Sequence, residues 1–175
     1  MPSQTPQPSR AADVQRAFTE ANQRLIARLR GAEPAAAEHT VEGTWTAAQI
    51  GWHVAAVTTR FAGMISGDIP AAQPVAEGFR ERTWTDVAAA IPDRLEAPAA
   101  VRPPGAVRCA EAVAALEASG DRMVTALESL TTERGDRMGV VHPIVGAISV
   151  FQIGEWATAH IMRHNRQAKR ALGER

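Results

Sequence analysis

The feature that most limits the fold is the stretch from Ser149 to about Ala171, SVFQIGEWATAHIMRHNRQAKRA. Its pattern is helical, and His160 and His164 stand four residues apart in it. At 3.6 residues per turn both imidazoles leave one face, one turn above the other. Ile153 and Trp156 share that stripe earlier in the segment, and Gln167 lies one turn later. A helix with histidines on its packing face must find partners for them inside the fold. Ser149 and Gln152 make a capping box at its start, with Ile148 and Ile153 as the hydrophobic staple.

Three more segments have the same character. The first predicted helix runs from about Arg10 to Arg30, with Val14, Phe18 or Ala17, Ala21, Leu25 and Leu29 at helical spacing and Gly31 as its stop. The second starts on another capping box, Thr46 with Gln49, stapled by Trp45 and Ile50. Its inward stripe reads Ile50, His53, Val54, Val57, Phe61 and Met64, and Ser66-Gly67 ends it. The third spans about Ala106 to Leu130, where Val113, Leu116, Gly120, Met123, Leu127 and Leu130 recur three and four apart. No convincing strand pattern appears, and Thr131 to Pro143 reads as a polar loop. The expectation is an all-α four-helix bundle.

Asp68 to about Gly105 is the least legible stretch, with six of the chain's eleven prolines. Thr85 to Ile91 reads as a short helix capped by Thr85, and the rest as a long crossover between the second and third helices. Residues 1–9, rich in proline, serine and glutamine, read as a disordered tail, and residues 10–175 as one domain.

The charge balances, with 19 basic and 19 acidic residues, so no basic surplus marks a nucleic-acid binder. Cys109 is the only cysteine, which excludes an intrachain disulfide. No apolar run reaches membrane length and no secretory-signal pattern is present, so the expected setting is the cytoplasm.

His53 occupies the apolar face of the second helix as His160 and His164 occupy that of the last. Two readings stand. The three imidazoles are separate core residues, each hydrogen-bonded, or they meet around a divalent metal. One cation satisfies a nitrogen on every ring at once, and a three-histidine set leaves positions open for water or substrate. Gln49 and Gln167 lie a turn from proposed ligands and can orient imidazoles, although Gln49 is already explained as a cap. His142, before Pro143, is either a surface residue or part of a pocket mouth. Arg163 is in reach of an anionic substrate or is simply solvated. Trp52 and Trp156 read as packing residues, His39 as exposed, and Cys109 as an inert thiol unless the helix start activates it.

Three segments together, WTAAQIGWH (Trp45 to His53), HPIVG (His142 to Gly146) and HIMRHNRQ (His160 to Gln167), resemble the DinB/YfiT-like metalloprotein superfamily. The resemblance covers the chain from its first to its last helix. It implies an up-up-down-down four-helix bundle, often homodimeric, with a metal held by His53, His160 and His164. The resemblance implies a divalent ion that varies among members, with zinc and nickel common and iron or manganese as further candidates. Members include thiol S-transferases and a thiol-dependent isomerase. The implied activity is therefore metal-dependent transfer of a low-molecular-weight thiol to a small electrophile, with hydrolysis as another use of the same site. The alternative is a non-catalytic metal-binding protein associated with damage or stress. His142, Gln167, Trp156 and Arg163 are the expected pocket or supporting residues.

Overall fold

The computed structural model describes residues 9–90, 96–142 and 145–174. Helix α1 (Arg10–Gly31) starts on Ser9, whose hydroxyl accepts the Ala12 amide, so Ser9 belongs to the helix start. The rest of the expected disordered tail lies outside the described residues. The predicted stripe Val14, Phe18, Ala21, Leu25 and Leu29 is buried, with Asn22 and Ile26 beside it. A single turn, α2 (Pro34–Ala37), leads to α3 (Ala47–Ser66). Both halves of the Thr46–Gln49 capping box form, and α3 closes at Gly67, whose φ of 96° suits only glycine without strain.

The crossover is built in pieces. It holds a two-residue strand β1 (Gln73–Pro74), a helix α4 (Trp84–Ala90) and a 3-10 turn at Ala99–Val101. The cap of α4 is Thr83, not Thr85: the Thr83 hydroxyl accepts the Asp86 amide. The first half of the crossover is tied to the far end of the chain. Arg82 donates to the Val145 carbonyl at 2.8 Å, and the Gln152 amide donates to the Arg82 carbonyl at 2.8 Å.

Helix α5 (Cys109–Glu128) buries every residue of its predicted stripe up to Leu127, and Leu130 is buried just beyond. Where a polar loop was expected over Thr131 to Pro143, the chain forms α6 (Thr132–Arg137) and the strand β2 (Met138–His142), Pro143 lying outside the described residues, and a strand β3 (Gly146–Ser149) comes after it. These complete an antiparallel sheet in the order β1-β2-β3, with Val140 opposite Ile148. The fold is thus not purely helical. The hairpin escapes a periodicity reading because each strand has at most five residues, too few to separate an alternating pattern from a loop. Last comes α7 (Val150–Ala171), with its Ser149–Gln152 capping box intact.

The core lies between four helices. Helices α1 and α3 each pack against both α5 and α7 and barely touch one another, so they face each other across a diagonal. Leu25, Leu29, Ile50, Leu116, Met123, Leu127, Ile153 and Ile161 fill the centre. The close approach of α3 needs Gly51: a methyl group there would sit 2.6 Å from Leu29 Cδ1 and 3.3 Å from the Ala112 methyl. The deepest stripe of α7 is Val150, Gly154, Ala157, Ile161 and Ala168, rotated from the one that carries the histidines. On α3, likewise, Ala62 and Ile65 go deeper than Val57, Phe61 and Met64. The histidine stripes therefore border the core, along the seam between α3 and α7. Among the described residues no helix is long and apolar enough to cross a membrane.

Candidate metal centre

The capping boxes fix the start, and hence the rotation, of both helices that build the site. Thr46 and Gln49 set His53 two turns into α3, and Ser149 and Gln152 set His160 and His164 in the second half of α7. The three rings converge. Their centroids lie 5.2 Å (His53–His160), 4.9 Å (His53–His164) and 4.3 Å (His160–His164) apart. One ligand nitrogen from each lies within 4.8 Å of the others. His53 is buried, whereas His160 and His164 are half-buried at the seam.

Hydrogen bonding assigns the nitrogens. His53 Nδ1 lies 2.7 Å from the carbonyl oxygen of Val101. A carbonyl only accepts, so Nδ1 carries the proton and Nε2 keeps its lone pair. His164 Nδ1 lies 2.8 Å from Gln167 Oε1, with the same consequence. His160 differs: its Nδ1 is buried with no hydrogen-bond partner among the described residues. Such an orphan costs about 1–3 kcal/mol. The donor set fits a divalent ion: three imidazoles, two held from behind and one with an unanswered polar atom.

Electrostatics keep these rings unprotonated. Burial, then the neighbouring His164, His53 and Arg163, pushes the pKa of His160 far down. Burial, then His53, brings His164 down to about 4 despite the bond to Gln167. Burial lowers His53 against the opposing pull of the Val101 carbonyl. At neutral pH all three present lone pairs, the form that binds metal.

The other expected residues divide. Gln167 accepts the His164 Nδ1–H bond described above. Gln49 is occupied elsewhere: its oxygen accepts the Thr46 amide, and its nitrogen donates to the carbonyls of Pro104 and Gly105. His142 lies on β2 with its ring 4.6 Å from that of Trp156, and is outside the three-histidine group. Trp156 also meets Phe61 at 6.2 Å, so it lies in an aromatic row next to the site. Arg163 is exposed on α7, and its charge disfavours protonation of His160 and His164. Two contacts were missed from sequence. Trp45 packs its ring 4.9 Å from His53, beyond its role at the helix start. The Val101 carbonyl is a backbone group inside the crossover, and no sequence signal marks it. Cys109 is buried, its Sγ bonded to the Leu29 carbonyl, and burial followed by Glu38 raises its pKa, so the inert reading holds.

The fold and site together are a helical bundle with a three-histidine group between two of its long helices that could hold a metal ion. Residues 17–168 match the DinB superfamily, and the chain belongs to it. No curated protein and no solved structure matches the chain.

Proposed function

We propose that His53, His160 and His164 hold a divalent ion, zinc or nickel before iron or manganese, and that the protein is a metal-dependent thiol S-transferase acting on small electrophiles. The convergence of three neutral imidazoles within 4.8 Å carries this reading. An all-imidazole set leaves the ion's double charge uncompensated, which favours an anionic fourth ligand such as a thiolate. When bound, the ion would supply Lewis acidity that lowers the pKa of a thiol. The group contains no carboxylate, so hydrolysis would lack a general base among these residues. The chain's own part is to fix the rings through Gln167 and the Val101 carbonyl, and to line the approach with Trp45 and Trp156.

The second reading is a non-catalytic metal protein associated with stress. Two surface concavities lie away from the histidines. One, of about 730 Å³, runs between α1 and α5, and one of about 410 Å³ lies beside Arg10 and Glu155. Metal-dependent melting without turnover of any thiol and electrophile pair would select that reading. The diagonal placement of α1 and α3, with the long crossover, supports an up-up-down-down order within one domain over residues 10–175. A homodimer in the cytoplasm, with small-molecule partners and no nucleic acid, completes the proposal.

The test is elemental analysis of protein purified without a histidine tag, alongside His53→Ala and His160→Ala. About one ion per chain, lost in both variants, supports the site and opens a screen of small thiols with electrophiles. No ion in the wild type, and none taken up on reconstitution, would return these residues to ordinary core histidines.

A further inference from the structure

The segment 96–105 lies across the first turns of α3 and has few ties to the body. Its 3-10 turn is closed by two backbone bonds, Val101 N–H to the Pro98 carbonyl and Arg102 N–H to the Ala99 carbonyl. The Arg102–Glu96 ion pair stays within the segment. Among the described residues, its outward attachments include the buried Val101 side chain, the His53 Nδ1 bond to the Val101 carbonyl, and the Gln49 amide on Pro104 and Gly105. The side chains of His53 and Gln49 both come from α3, one turn apart. One of them is a proposed metal ligand.

This makes the bond from His53 conditional. A neutral imidazole carries its proton on either nitrogen, and only the Nδ1–H form can donate to Val101. An ion on Nε2 removes the other form, polarises the Nδ1–H and fixes the ring. We propose that loading of the trihistidine site tightens the hold of α3 on the crossover segment 96–105 through His53 and the Val101 carbonyl, and that emptying the site loosens it. The proposal rests on the metal reading above. Its consequence is that one wall beside the site is held more firmly when the ion is present, so substrate meets a firmer wall in the loaded protein.

Hydrogen exchange followed by mass spectrometry on the full chain tests this, comparing chelator-stripped with zinc-loaded protein and measuring zinc on the same samples. The expected result is about tenfold slower exchange at the Val101 and Arg102 amides on loading, beyond any change in α6, which is remote from the ligands. In His164→Ala, which leaves the His53–Val101 pair in place, added zinc should not slow the segment. Gln49→Ala should speed exchange there in both states and preserve the zinc effect. Equal rates in stripped and loaded wild type, with zinc bound, would overturn the clamp and leave the metal reading intact. So would slowing no greater than that of α6. Absence of zinc from the wild type would overturn both, and the zinc measurement separates the two failures.

Discussion

The three imidazoles are not equivalent, and single substitutions should reveal it. His164 is held by one side-chain acceptor, Gln167. Gln167→Ala should weaken zinc binding about 10- to 100-fold, as loss of an orienting partner does. Gln167→Glu, which keeps an acceptor, should retain most of the affinity; titration against a chromophoric chelator reads both. The depressed pKa values set a second expectation. A histidine that is harder to protonate when folded binds its proton first in the unfolded chain, so falling pH favours unfolding. For the metal-free protein, this stability is complete above the ordinary value of 6.5 and is lost progressively toward about 4, the value for His164. That residue alone accounts for about 3 kcal/mol across the window, at roughly 1.4 kcal/mol per pH unit. Urea midpoints between pH 7.5 and 4.5 should therefore fall, and should fall less in His164→Ala than in the wild type.

At the level of the element, the two capping boxes determine where the site forms. Thr46→Ala should cost about 1 kcal/mol. Ser149→Ala should cost more, because its hydroxyl also bonds Glu81, which Arg10 joins to Glu155 on α7. Urea denaturation of the two variants side by side would show the difference, and equal losses would mean that the Glu81 link adds nothing. The same boxes made the site legible in the sequence. A box fixes where a helix begins, the beginning fixes its phase, and the phase brings His53, His160 and His164 to one seam. Legibility stopped where structure depends on distant partners. The β2–β3 hairpin is too short for a period to show, and the true cap of α4 lies two residues before the expected Thr85. The Val101 carbonyl acts through backbone, which every residue has. The stripes of α1 and α5 were legible, and that of α3 held through Ile50, His53 and Val54, but in its second half Ala62 and Ile65 are buried where Val57, Phe61 and Met64 were expected.

For the molecule as a whole, stability rests on the diagonal arrangement of four helices and on residues such as Leu116, which is fully buried. Leu116→Ala should cost about 2–5 kcal/mol, whereas Val141→Ser, at a position 79% exposed, should leave the urea midpoint nearly unchanged. Cys109 turns this architecture into an instrument. The chain has one sulfhydryl, buried between the end of α1 and the start of α5 and bonded to a carbonyl of α1. An alkylating reagent in solution should reach it only when those helices part. Its rate of labelling under native conditions would then count openings of the bundle, in stripped and loaded protein alike, without any added probe. The same seclusion means that a protein proposed to handle small thiols keeps its own out of their exchange reactions, so mixed disulfides should not accumulate on the folded chain.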